Sequence, residues 1–209
     1  MQSYPIMLNM KNKNAVVVGG GIVAYRKIIG LLKAGANVIV ISPTVHPQVE
    51  ELYFNQQIHW MIKEFEQCDI DTALIVIAAT NNRKLNEEIA KNCSGTQLVN
   101  VIDNQEHSSF QVPATLTRGK LTIAVGTGGA SPILAQNIRN ELAERYDVSY
   151  EDYLLFLMKS RKEILRKVRD ETERRQLLKD ITHINYKKSN VKQNDFLERM
   201  DAYNGRAEK

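Results

Sequence analysis

Short, nearly uninterrupted apolar runs alternate with stretches of helical spacing through the first hundred residues. Ala15–Val18, Val38–Ile41, Leu74–Ala79 and Leu98–Ile102 are short and rich in β-branched residues, so each predicts a strand. Ile58–Ile62 predicts a weaker one. Between them, Ile22–Lys33 predicts a helix with Ile28, Ile29 and Leu32 inward, closed by Ala34-Gly35. His46–Asn55 and Arg83–Asn92 predict two more. Strands that alternate with helices in this way are the mark of βαβ units and a parallel sheet.

The pattern changes after Asp103. Phe110–Thr115 and Leu121–Val125 alternate apolar with polar and predict an antiparallel pair joined through Thr117-Arg118-Gly119. Ser131 then suits a helix N-cap, with Pro132 at the first helical position. Leu134, Ile138 and Leu142 follow four apart on one face. From Tyr150 onward strand signals are absent. Leu154, Leu157, Met158, Leu165 and Val168, then Leu177, Leu178 and Ile181, recur at helical spacing and predict an apolar core face. Residues after Tyr203 are expected to fray.

Composition narrows the class. The chain has 209 residues, 43% of them hydrophobic and 25% charged, as a folded globular protein requires. No run approaches the roughly 20 apolar residues that span a bilayer, and the N-terminal segment lacks the apolar centre of a signal peptide. The expectation is a cytoplasmic protein without membrane association. Cys68 and Cys93 form no CxxC pair and read as free thiols. The net charge of +4 belongs to residues 151–209, which hold 15 Lys/Arg and 11 Asp/Glu. Those charges are mixed in sign, so a solvated helix surface is expected rather than a nucleic-acid footprint. His46, His59, His107 and His183 are scattered, and no metal-ligand set is expected.

The chemistry sits in four loops. Val18-Gly19-Gly20-Gly21-Ile22-Val23-Ala24 is a G-x-G-x-x-A fingerprint between a strand and a helix. Gly19 permits the tight turn, Gly21 lets a pyrophosphate approach the backbone, and Ala24 packs helix on strand; Gly20, Ile22 and Val23 complete the cofactor-binding turn. The helix start favours phosphate charge. A glycine turn that serves packing alone is the competing reading. The second strand ends at Ser42-Pro43-Thr44 without the acidic residue that commonly binds a ribose 2′-OH. Ser42 or Thr44 can bind the ribose instead, and the lack of a basic residue favours NAD. Ala79-Thr80-Asn81 ends a central strand at the nucleotide edge, with Asn81 or Asn82 able to cap the next helix. Asp103, at the end of the next strand, suits either a catalytic base or a loop cap. Thr127-Gly128-Gly129-Ala130-Ser131 feeds a helix start, as an anion-binding loop or as a flexible connection.

Taken jointly, Pro5–Leu8, VVVGGGIVAYRK (Val16–Lys27), LLKAGANVIVISP (Leu31–Pro43), IAATNN (Ile77–Asn82), NVIDN (Asn100–Asn104), SSFQVPA (Ser108–Ala114) and GTGGASP (Gly126–Pro132) resemble the precorrin-2 dehydrogenase family. That family includes the N-terminal half of bacterial siroheme synthase and the fungal bifunctional dehydrogenase–ferrochelatase. The resemblance implies an α/β fold: a Rossmann-like parallel sheet over residues 1–113, a small α+β dimerisation domain over 114–148 and a helical domain over 149–209. It implies a homodimer whose active site lies between the cofactor and the partner subunit. It also implies NAD-dependent oxidation of a tetrapyrrole, precorrin-2, to sirohydrochlorin, in siroheme or cobalamin synthesis. Asp103 occupies the family's functional aspartate position and would accept the proton that leaves with the hydride. Thr127–Ser131 would hold a substrate carboxylate, with Arg118 or Lys120 assisting. Thr127 stands where relatives often carry Ser, and Asn82 where Asp is common. Two alternatives stay open: an enzyme that also inserts Fe²⁺, and a non-enzymatic NAD-sensing module.

Overall fold

A computed structural model describes residues 4–102 and 104–203. The chain divides into two units, Met1–Val112 and Pro113–Lys209. In the first, the apolar runs form β1 (Asn14–Val18), β2 (Asn37–Ile41), β3 (His59–Met61), β4 (Ile75–Ala78) and β5 (Leu98–Val101), with helices α1 (Ile22–Lys33), α2 (Pro47–Phe54) and α3 (Arg83–Asn92) between them. All five strands are parallel, in the order β3-β2-β1-β4-β5. The α/β reading of the sequence is therefore borne out, with element ends displaced by a residue or two.

Strand periodicity sorts side chains between the two sheet faces. Ala15, Val17, Val38, Val40, Ile75 and Ile77 join Ala24, Ile28 and Leu31 of α1 and Val49 and Leu52 of α2 in one core. Val16, Val18, Ile41, Val76 and Ala78 face the other way, onto Ile89 of α3. Both faces are covered, which is why these strands read as unbroken apolar runs. On α1 the deepest positions are Ala24, Ile28 and Leu31, whereas Ile29 and Leu32 are only half-buried. The inward face is thus rotated from the expected one, because the small Ala24 lets the helix approach β1 closely. The chain runs outward from β1 to β3 and then returns to β4, so the direction of winding reverses between β1 and β4. In open parallel sheets the ligand crevice lies at such a switch point, outside the carboxyl ends of the strands.

The second unit opens with a hairpin, β6 (Ala114–Arg118) and β7 (Leu121–Val125). Its first strand begins four residues later than expected, and the loop is Gly119-Lys120, with Gly119 at φ 54°. Pro113 cannot donate to a ladder, and Phe110 packs on the first unit's core instead. α4 (Pro132–Arg145), α5 (Ser149–Lys167), α6 (Glu171–Asp180), α7 (Ile184–Lys187) and α8 (Asn190–Asp201) follow. α4 buries Ala135 rather than Leu134, which is 51% exposed. α5 buries Tyr153, Phe156, Ser160 and Ile164, with Val168 at its C-cap, while Met158 and Leu165 face out. The aliphatic stripe expected there gives way to an aromatic one. Phe156 stacks on Tyr186 with ring centres 5.5 Å apart and meets Phe196 edge-on at 6.0 Å. Those rings carry more buried area than the leucines they displace from the interior.

Candidate functional site

The glycine turn lies at the carboxyl end of β1, beside the end of β4. Gly19 has φ 107°, in the left-handed region that favours glycine, and its N–H donates to the Ile41 carbonyl (2.9 Å). A Cβ there would lie 2.3 Å from the Ala79 carbonyl oxygen. At Gly20 it would lie 2.5 Å from that of Thr44. The backbone of the turn is therefore wedged between the loops that follow β2 and β4. Gly21 differs: its φ is −76° and a Cβ would meet nothing within 4 Å.

That open space lies at the start of α1. Most helices of the chain are capped by a side chain, as α2 is by His46, α3 by Asn82 and α4 by Ser131. α1 has no side-chain cap and no acidic residue in its first turn. The N–H groups of Gly20 and Gly21 have no partner among the described residues. Ile22 and Val23 are 41% and 40% exposed, so an apolar wall flanks these free donors. Free amides, a positive dipole end and an unfilled Cβ position fit a diphosphate joined to a nucleoside.

After β2, the Ser42 hydroxyl donates to the Thr44 carbonyl (2.7 Å), and the Ser42 carbonyl accepts from Trp60 Nε1 (2.9 Å). Pro43 and Thr44 are exposed. The loop is tied back to the glycine turn by the His46 N–H, which donates to the Gly20 carbonyl (2.8 Å). After β4, Ala79 is buried, its N–H donating to Val18 (2.8 Å). Asn82, not Asn81, caps α3, accepting from the N–H groups of Lys84 and Leu85. The structure thus gathers Gly19–Val23, Ser42–Thr44 and Ala79–Asn81 along one crevice rim. Asn86 was not legible as part of this rim. It reads as a polar residue of an amphipathic helix, and only its spacing of three residues from buried Ile89 hints that it turns inward.

β5 is an edge strand, and its free amides are met by side chains. The Val99 N–H donates to Ser109 Oγ (2.8 Å), and that of Val101 to Ser108 Oγ (2.9 Å). Ser108 Oγ in turn donates to the Asn104 carbonyl (2.8 Å). One buried hydroxyl therefore ties down the chain on both sides of position 103. Asp103 itself lies outside the described residues.

In the second unit, Thr127 Oγ1 accepts from the Ser131 N–H (3.2 Å) and donates to the Ser131 carbonyl (3.0 Å), closing the glycine loop on itself. Gly128 and Gly129 have φ 61° and 86°. Their N–H groups have no partner among the described residues. Ser131 caps α4 by accepting from Leu134, as expected of it. Arg118 is engaged structurally: its Nε donates to the Tyr146 carbonyl (3.2 Å). Lys120 is exposed. Among the described residues one group of potential metal ligands, Glu66, Cys68 and Asp69, comes together. Its carboxylates are held by Lys63 at 2.8 and 3.0 Å. Both cysteines are free, and burial pushes the Cys93 thiol up. No helix among the described residues is long and apolar enough to cross a membrane.

Comparison with known proteins gives three consecutive family matches. An NAD(P)-binding family covers residues 6–114, the sirohaem biosynthesis protein central family covers 118–145, and the SirC C-terminal domain covers 150–196. A precorrin-2 dehydrogenase of Priestia megaterium is 34% identical over 200 residues, covering 96% of this chain and 99% of that protein. A siroheme synthase of Actinobacillus pleuropneumoniae is 38% identical over 143 residues, 68% of this chain but 29% of that longer protein. A solved structure titled SirC, precorrin-2 dehydrogenase, superposes with a TM-score of 0.83 at 34% identity, covering 96% of this chain and all of its own.

Proposed function

We propose that this chain, which belongs to the precorrin-2 dehydrogenase family, oxidises precorrin-2 to sirohydrochlorin. A hydride passes to NAD⁺ and a proton to Asp103. The observation that carries this reading is the uncapped start of α1 beneath an unfilled Gly21, in a chain aligned with a dehydrogenase along 96% of its length.

The residues divide the work. Gly20, Gly21 and the first turn of α1 offer backbone N–H groups to the diphosphate, and Ile22 and Val23 flank it. NAD⁺ supplies the hydride acceptor. The other hydrogen leaves the macrocycle as a proton, and a carboxylate at the end of β5 is suited to take it. Gly128 and Gly129 point free amides at a substrate carboxylate, within the loop that Thr127 braces and Ser131 caps. Residues 114–148 form the dimerisation region and 149–209 a helical domain. The exposure of Ile133 (71%), Leu134 (51%) and Val148 (71%) in the single chain supports cover by a second copy.

The ribose end supports NAD over NADP. The Ser42 hydroxyl gives its one proton to Thr44, so it presents only lone pairs. A ribose 2′-OH can donate to them; a 2′-phosphate, which only accepts, cannot. The segment after β3 begins beside Ser42, whose N–H donates to the Met61 carbonyl (3.3 Å). It carries Glu64, Glu66, Asp69 and Asp71 against the single cation Lys63. A dianionic phosphate would be repelled there. Purified protein titrated with each cofactor is expected to bind NADP⁺ about tenfold or more weakly than NAD⁺. Equal dissociation constants would refute this assignment of the ribose site. The activity itself is tested by mixing protein, precorrin-2 and NAD⁺ without oxygen and following the absorption spectrum. Formation of sirohydrochlorin supports the reading, and NAD⁺ binding without turnover overturns it.

A further inference from the structure

Every polar atom of Thr80 is engaged inside the protein. Its N–H donates to Asn86 Oδ1 (3.1 Å), its carbonyl accepts from Asn86 Nδ2 (3.0 Å), and its hydroxyl donates to Asn86 Oδ1 (2.7 Å). The same hydroxyl accepts from the Asn82 N–H (3.1 Å). Both protons of Thr80, on its N–H and its hydroxyl, are therefore committed within the protein, and Thr80 has no donor left for a nucleotide. Its part is to shape the turn, and Asn86 shapes it from behind. Asn86 is 4% exposed, and these three hydrogen bonds all go to the one residue.

The turn held in this way is the one on which the glycine turn rests. Ala79 and Thr80 sit where a Cβ on Gly19 would meet Ala79 O at 2.3 Å and Thr80 N at 3.0 Å. A shift of this turn by a few tenths of an ångström would push on Gly19 or open a gap beneath it. We infer that Asn86 is a positioning residue for the cofactor: it clamps the turn after β4 against the glycine turn, and so fixes the diphosphate-binding amides that follow Gly19. This rests on the nucleotide reading of the crevice. It assigns a role in binding to a buried side chain whose hydrogen bonds all go to Thr80.

The test is titration of NAD⁺ into the full chain and its variants. Asn86→Asp keeps the shape and both acceptor contacts but turns an acceptor toward the Thr80 carbonyl. It is expected to raise the NAD⁺ dissociation constant about tenfold, in line with one buried bond turned to a repulsion. Thr80→Val removes only the hydroxyl bonds and is expected to raise it about threefold. In steady state the Asn86→Asp effect falls on KM for NAD⁺, with kcat at saturating NAD⁺ within about twofold. A purely structural role would lower the melting temperature while folded protein kept the wild-type dissociation constant. Wild-type affinity in both variants therefore overturns the clamp. A wild-type chain that binds no NAD⁺ overturns the nucleotide reading itself, and the clamp with it.

Discussion

Gly21→Asp is expected to fold as well as the wild type and to lose NAD⁺ affinity by about a hundredfold or more, equivalent to about 3 kcal/mol. The two halves of that result have separate causes. Position 21 has an ordinary φ of −76° and open space where a Cβ would stand, so a side chain costs the fold nothing. It is also the N-cap of α1, where Asp is a favoured residue and its charge complements the helix dipole. The melting temperature should hold or rise. The same carboxylate then occupies the position proposed for the diphosphate and repels it. Gly19→Ala gives the opposite pairing. With φ at 107° and the Ala79 carbonyl 2.3 Å away, the added methyl strains the backbone and collides with it. It should cost at least about 1–3 kcal/mol of stability. Thermal melts and calorimetric titration of the two variants separate these effects. Wild-type NAD⁺ affinity in Gly21→Asp would move the diphosphate away from this turn.

That contrast marks what a sequence can and cannot convey. The fingerprint spacing assigns Gly19 to the tight turn and Gly21 to an open approach, and the structure sets neighbouring backbone against Gly19 and Gly20 and nothing against Gly21. That Gly20 is as confined as Gly19 depends on the Thr44 carbonyl, distant in sequence, and does not show in the chain. The parallel sheet was legible because its strands are buried on both faces, so Val16–Val18 and Ile75–Ala78 show no polar break. Helix starts were legible where a capping side chain announces them, as Ser131-Pro132 does for α4.

What was not legible depends on partners distant along the chain. The edge of β5 is completed by the hydroxyls of Ser108 and Ser109, which mimic a ladder without forming a strand. From sequence, an apparent strand begins directly after them at Phe110, whereas the hairpin strand starts at Ala114. The inward face of α5 is set by rings from α7 and α8, Tyr186 and Phe196, so leucine spacing alone misplaced it. Asn86 was missed for a related reason: a buried amide is useful only if its donor and acceptors find partners, and those partners are all on Thr80.

Asp103→Asn is expected to reduce the rate of precorrin-2 oxidation by about a thousandfold while the NAD⁺ dissociation constant stays within about twofold, the span of a lost general base. The substitution preserves size, so neither the loop nor the crevice is asked to rearrange. What it removes is the ability to take a proton, and an amide cannot substitute for that at neutral pH. The described residues on both sides of position 103 are tied down by hydrogen bonds. The Ile102 N–H donates to the Ala78 carbonyl (3.0 Å), which keeps the chain before position 103 in register with β4. Ser108 Oγ bonds Val101 on one side of position 103 and Asn104 on the other. Single-turnover absorbance under anaerobic conditions gives the rate, and titration gives the affinity. A variant that oxidises precorrin-2 at more than a tenth of the wild-type rate would remove Asp103 from the chemistry and leave the proton to another group. A variant that loses NAD⁺ binding in proportion to its rate would instead make Asp103 a cofactor ligand. Only a fall in rate at unchanged cofactor affinity places the carboxylate on the substrate's proton.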